Sequence, residues 1–211
     1  MRKIVYLMCA LMLASCGSKD TNGASGAGEG GMGGIPVDMG LSVLWADRNV
    51  GASSPEKAGL TFGYGDAEGK QSESPDDYRT FADAAARAWG GNWRMPTADE
   101  VQELIERCTW VWVVDGDRRG YEITAPNGAK LFLPATGLRL GGGLTRKKGF
   151  GGYWTSTPSD FSADHARALV FVSAKIGSLR ADSLKADPHL STFKLIDNMR
   201  QYGFAVRPVK K

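Results

Sequence analysis

The sequence predicts an α+β domain, and three observations carry that prediction. Two short amphipathic helical patterns meet at the hinge Gly90-Gly91-Asn92-Trp93-Arg94-Met95-Pro96-Thr97. Strand-like runs rich in Val, Trp and Phe follow the helices rather than alternating with them. Turn signals at Asp115-Gly116-Asp117 and Pro126-Asn127-Gly128 cut the first of those runs into antiparallel pieces.

At the amino-terminal end, Arg2 and Lys3 precede an apolar run at residues 4–13. About ten residues are too few to span a bilayer and suit the central region of a signal peptide. Leu13-Ala14-Ser15-Cys16 resembles the bacterial lipobox, which implies cleavage before Cys16 and acylation of its sulfur by diacylglycerol. The alternative is an ordinary cleaved signal; a cysteine directly after two small residues favours the lipid. Gly17 is not the aspartate that holds some lipoproteins at the inner membrane, so an outer-membrane address is expected, periplasmic or surface-exposed. Residues 1–15 thus read as signal, 16–35 as a lipidated glycine-rich tether, and 36–211 as the folded domain. As a flexible coil of about 18 residues, the tether has an r.m.s. span of roughly 20 to 25 Å.

Folded sequence opens with Val37-Asp38-Met39-Gly40-Leu41-Ser42-Val43-Leu44-Trp45-Ala46, read as two short strands around a glycine turn. A loop at Asn49-Val50-Gly51 and an aromatic piece carrying Phe62 and Tyr64 lead to a polar loop with Asp66, Glu68, Glu73, Asp76 and Asp77. Those five acids do not match the alternating ligand spacing of a calcium loop, so the reading is a solvated acidic loop. The first helix is expected to carry Phe81, Ala84, Ala85 and Ala88 on one face, capped by Thr80 and stopped by Gly90-Gly91. In the second, Thr97-Ala98-Asp99-Glu100 is a capping box before the apolar series Val101, Leu104, Ile105 and Cys108. Trp93 and Met95 are expected to plug the core between the helices, with Arg94 as a buttress.

Thr109-Trp110-Val111-Trp112-Val113-Val114, Tyr121-Glu122-Ile123-Thr124 and Lys130-Leu131-Phe132-Leu133 predict a three-stranded meander, with Trp110 and Trp112 on one face. Residues 136–152 are glycine-rich, carry Arg139, Arg146, Lys147 and Lys148, and lack periodicity. This basic loop is either a binding loop or a solvated insertion. Strands are predicted at Tyr153-Trp154-Thr155-Ser156-Thr157, at 166–173 and at Phe204-Ala205-Val206-Arg207-Pro208-Val209, with an irregular insertion at 174–200.

The formal net charge of +3 falls to +1 once Arg2 and Lys3 leave with the signal, which does not indicate nucleic acid. Cys9 leaves with the signal and Cys16 carries lipid, so Cys108 has no partner for an internal disulfide and reads as a small buried hydrophobe. No cofactor is implied: paired CxxC or HxxxH spacings and a phosphate-binding glycine loop are absent from the sequence.

With the hinge, Tyr153-Trp154-Thr155-Ser156-Thr157-Pro158, Ala166-Arg167-Ala168-Leu169-Val170-Phe171 and Tyr202-Gly203-Phe204-Ala205-Val206-Arg207-Pro208-Val209 in this order, the chain resembles the Fibrobacter succinogenes major paralogous domain. The opening segment with Asn49-Val50-Gly51 is similar to one common in such lipoproteins of Bacteroidetes. The resemblance covers about residues 37–209 and implies a C-type-lectin-like fold: two helices beside a small twisted antiparallel sheet, paired chain ends, and long loops opposite. It carries no function across. Ala125-Pro126-Asn127 has alanine where the calcium and sugar motif of true C-type lectins needs an acid, and a lone Cys108 does not supply the chemistry of formylglycine-generating enzymes.

Three function classes are open at this stage. The first is a non-catalytic, lipid-anchored envelope module binding a glycan or protein, with Trp112, Arg139, Arg146, Lys147 and Lys148 as candidate contacts and Trp112 expected to be the exposed tryptophan. The second is an accessory subunit of a surface complex or appendage. The third is an envelope-polymer hydrolase using Ser156, His165 and Asp164; adjacent Asp164 and His165 argue poorly for a triad.

Overall fold

The hinge owes its shape to two carboxylates. Asp83 caps the helix α1 (Ala84–Trp89) by accepting from the Ala85 and Ala86 amides, and the same carboxylate accepts from the Met95 amide across the hinge. The helix therefore starts three residues later than Phe81 suggested, with Asp83 rather than Thr80 as cap. A carboxylate can serve three amides at once, which a threonine hydroxyl cannot. Gly90 and Gly91 adopt the expected left-handed φ values of 62° and 57°. In α2 (Ala98–Arg107) the capping box forms as read: Thr97 accepts from the Glu100 amide and Glu100 accepts from the Thr97 amide. Val101 and Leu104 are buried, a burial that stabilises by about 1.5–3 kcal/mol for each side chain. Arg94 forks onto both Glu100 oxygens and also donates to the Met95 carbonyl, which is the buttress expected of it.

The computed structural model describes residues 33–70, 75–140, 143–145, 149–173 and 193–211. The chain divides into residues 1–31 and residues 32–211, and the stretch read as a signal, with Cys16, lies outside the described residues. Within the second unit, β1 (Pro36–Val37) and β2 (Leu44–Ala46) pair antiparallel, and β11 (Val209–Lys210) pairs with the other edge of β2. Arg94 bridges to Val209, tying the hinge to that small sheet. The residues before Val209 do not form the long closing strand expected. Phe204 bridges to Phe62 and Ala205 to Tyr153, so the segment threads between other elements.

The meander forms as predicted, in the order β3 (Thr109–Asp115), β4 (Arg118–Thr124), β5 (Lys130–Pro134). The stretch read as an aperiodic basic loop instead holds a hairpin, β6 (Leu138–Leu140) with β7 (Gly143–Thr145). A third sheet runs β10-β9-β8 from β8 (Phe150–Pro158), β9 (His165–Val172) and β10 (Phe193–Met199). The later part of the segment read as an irregular insertion is thus an edge strand, alternating Phe193 and Leu195 inward with Lys194 and Ile196 outward; residues 174–192 lie outside the described residues.

Two apolar clusters result. One gathers α2, the meander and β9 around Tyr121, Leu104, Ile123 and Phe171; the other gathers α1, β8 and β9 around Trp154, Phe204 and Met95. Adjacent glycines of β8 let one ring of each cluster close in: a Cβ on Gly151 would lie 2.1 Å from the Phe171 ring of the first, and one on Gly152 2.3 Å from the Phe204 ring of the second. Across both clusters, the Arg207 guanidinium is buried and donates to the Ala46 carbonyl (2.9 Å), the Phe132 carbonyl (2.7 Å) and Asn49 Oδ1 (2.8 Å). Burial pulls its pKa down to about 10. Beside it the Tyr153 hydroxyl donates to the Pro134 carbonyl at 2.6 Å, and burial pushes that phenol up to about 12.

Candidate functional site

The residues singled out from sequence go to different places. Trp112 is half-buried, its ring edge-on to Tyr121 and to Phe171, and is not the exposed platform expected. All six tryptophans are buried or half-buried; the exposed apolar side chains of β3 are Val111 and Val114 instead. Alternation on the strand puts both tryptophans on the face that meets β9 and β10, where Trp110 stacks on Phe193 at 4.5 Å. Arg139 lies in β6, half-buried, exchanging both backbone hydrogen bonds with Gly203, and its Nε is buried with no partner among the described residues. Arg146, Lys147 and Lys148 lie outside the described residues.

Ser156 does not meet His165. A bulge in β8 interrupts its pairing with β9 between Trp154 and Pro158, and the three hydroxyls there take separate partners. Thr155 Oγ1 donates to the Arg167 carbonyl, the Ser156 hydroxyl donates to the Pro96 carbonyl, and Thr157 Oγ1 accepts from the Ala98 amide at the start of α2. Cys108 is half-buried, and burial raises its thiol pKa away from the thiolate a nucleophile needs. In the acidic loop, Glu68 pairs with Lys70 and faces Arg87. Among the described residues no three His, Cys, Asp or Glu side chains gather as a metal site, and no helix is long and apolar enough to cross a membrane.

A different place does gather polar chemistry. Arg79, Asp164, His165, Met199, Arg200 and Gln201 line an open cleft of about 250 Å³, where the β8–β9 loop meets the turn after β10 and the end of a 3-10 turn at Pro75–Tyr78. The loop is built by its serines: Ser159 Oγ accepts from the Phe161 amide, Ser162 Oγ from the Asp164 amide, and the Ser159 amide donates to the His165 carbonyl. That geometry leaves Phe161 84% exposed and edge-on to the imidazole of His165, one of the cleft's lining residues, with ring centroids 6.1 Å apart. His165 Nδ1 is buried with no partner among the described residues.

Arg200 is the fixed cation of the cleft. Its Nε donates to the His165 carbonyl, its Nη1 to the Tyr78 and Arg79 carbonyls, and its guanidinium lies 4.9 Å from the centre of the Tyr64 ring. Three backbone carbonyls and an aromatic face hold the planar group without a carboxylate partner among the described residues. Tyr64 is itself anchored, donating to the Ser156 carbonyl at 2.8 Å, with its phenol pKa raised by burial against a smaller opposing pull from Arg200. Arg79, by contrast, is exposed and paired with Asp76 at 2.7 Å. Of these residues, only Asp164 and His165 stood out in the sequence. Arg200 and Phe161 gave no local signal, because the cleft is assembled from three distant segments.

Comparison with protein-family models, with curated proteins and with solved structures finds no match to this chain in any of the three.

Proposed function

We propose that the chain is a lipid-anchored, non-catalytic binding module of the bacterial cell envelope, held at the outer membrane by Cys16 through its glycine-rich tether and recognising a glycan or a protein. The observation that carries this reading is the cleft at the β8–β9 loop, with a fixed guanidinium inside and an exposed aromatic ring, Phe161, against its lining residue His165. The lipobox-like Leu13-Ala14-Ser15-Cys16 supports the anchor. A C-type-lectin-like fold is part of the proposal. Its supports are the two helices, the small antiparallel sheets and the pairing of β1 and β11 with the same strand. The non-catalytic character rests on Ser156, whose hydroxyl serves the Pro96 carbonyl.

A second reading, an accessory subunit of a surface complex, draws on β3. It is an edge strand whose Val111 and Val114 are each 54% exposed, the arrangement that invites strand addition by a partner. Two experiments separate these ideas. Incorporation of labelled palmitate should be lost in Cys16→Ala; persistence of the label would refute the anchor. Saturable binding on a broad glycan panel, with calcium and then chelator, is expected of a lectin-like module. Absence of binding in every condition, with a stoichiometric partner recovered by crosslinking on intact cells, would transfer the assignment to the subunit reading.

A further inference from the structure

Resting on the glycan-binding reading, we infer that the cleft lined by Arg79, Asp164, His165, Met199, Arg200 and Gln201 takes a carboxylate-bearing sugar residue, its acid group on Arg200 and its apolar ring face on Phe161. Four observations converge on this chemistry.

The first is the state of Arg200. Its Nε and Nη1 are committed to backbone carbonyls and its face to Tyr64, which leaves the Nη2 edge of a guanidinium already fixed in place. A cation immobilised before binding loses little rotamer entropy when an anion arrives, and the planar group suits an equally planar carboxylate. The second is Phe161. A phenylalanine 84% exposed on a loop tied by two serine hydroxyls makes, among the described residues, one ring contact, its edge-on approach to His165, and the rest of the bare ring matches the C–H face of a sugar. The third is the presence of Asp164 and Gln201 in the same cleft. A carboxylate accepts and an amide both donates and accepts, so together they can satisfy ring hydroxyls flanking the acid group.

The fourth is the charge balance, which selects among anions. Two arginines face one aspartate in the lining, and Arg79 is already paired with Asp76. Setting that pair aside leaves one cation, Arg200, and one carboxylate, Asp164, in the lining, so the cleft has no surplus positive charge and favours a singly charged acid on Arg200 over a doubly charged one. A phosphate group near its dianionic form would bring a second negative charge into a cleft that already holds the Asp164 carboxylate, and like charges repel. The size agrees: about 250 Å³ of open cleft accommodates one residue of a chain, with the remainder running out over Phe161.

The test uses the full chain in detergent and a matched pair of probes, trigalacturonate and the same trisaccharide with its carboxyl groups reduced to alcohols. Saturable binding of the acid and at least ten-fold weaker binding of the neutral form is expected, with roughly ten-fold loss for Arg200→Gln and a several-fold loss for Phe161→Ala. Because Arg200 also ties three carbonyls, its variant is read alongside Phe161→Ala, whose exposed position leaves the thermal midpoint unchanged. Equal affinity for both probes would overturn the carboxylate inference while leaving the glycan-binding reading intact. Acid binding unaffected by either substitution would overturn the assignment to this cleft. Failure of both probes to bind would also overturn it, and the broad panel then decides the parent reading separately.

Discussion

Arg207 offers the most discriminating test of how this fold is held. Replacing it with Met keeps the stem that packs in the core but orphans the Ala46 and Phe132 carbonyls and Asn49 Oδ1, three buried acceptors. At about 1–3 kcal/mol each, that loss amounts to roughly 3–9 kcal/mol, with the lower half, about 3–6 kcal/mol, favoured where carbonyls relax. Against it stands relief of a buried charge. A guanidinium whose pKa falls from 12.5 to about 10 is opposed by burial to the extent of about 3 kcal/mol. The net prediction for Arg207→Met is destabilisation of about 0–3 kcal/mol. Arg207→Lys keeps the charge in the same dry place, yet an ammonium without the planar fork cannot reach all three acceptors. It should therefore cost more than Met, about 3 kcal/mol or above, and its stability should climb with pH. The sign follows from linkage: a base with a depressed folded pKa leaves the unfolded chain holding more protons, so stability rises as pH passes the folded value. Urea titration followed by tryptophan fluorescence at pH 7 and pH 9 measures both. A lysine variant as stable as wild type beside a collapsed methionine variant would refute the reasoning, because charge rather than the fork would then be what the core requires.

Tyr153→Phe should remove an alkaline component of unfolding. The folded phenol ionises near 12 against an ordinary 10, so its contribution is present below pH 10 and is lost as pH rises through 12, about 2–3 kcal/mol in all. The difference between wild type and variant across that window isolates it from Arg207; identical alkaline profiles would count against it. Glu100 gives the acid-side counterpart. Burial pushes its carboxyl up, but the Arg94 fork and the Thr97 amide outweigh that and hold it below the usual range. The stability it contributes is present above the unfolded value and disappears as pH falls through the lowered folded one, so Glu100→Gln should flatten the acid limb of a stability-against-pH curve. Gly152→Ala should cost about 1–3 kcal/mol by overpacking Phe204, read as a lower urea midpoint at unchanged slope; a neutral result would mean the ring can swing aside.

Local chemistry was legible wherever the partners of a residue lie close in sequence. Thr97 and Glu100 cap each other across three residues, so the pattern alone identified the helix start. The two tryptophans of β3 were placed on a shared face by strand alternation, but which face was covered depended on Phe171 and Phe193, some sixty and eighty residues downstream. Asp83 escaped notice as a cap because its second duty, the Met95 amide, exists only once the chain has turned at the glycines. Arg207 sits next to a proline in a run that reads as an ordinary strand end, and nothing nearby announces that three distant carbonyls will surround it. The cleft was unreadable for the same reason: Arg79, Asp164 and Arg200 contribute little apart, and a pocket is a property of their assembly.

The pairing of β1 with β2 has a mechanical consequence. A pull arriving from the amino-terminal side meets first the Gly33 carbonyl, which accepts from the Arg48 guanidinium, and then Ile35, whose amide donates to the Asp47 carboxylate and whose carbonyl accepts from the Asp47 amide. Beyond them lies a ladder only two residues long. Such a ladder opens one bond after another, and giving it up surrenders Val37 from the edge of one cluster and little more. The next strand in line, β2, is clamped by β11, which is in turn bridged to Arg94 of the hinge. Tension is thereby taken up by a short sacrificial zipper before it reaches β2, and the sheet that holds the hinge keeps its shape.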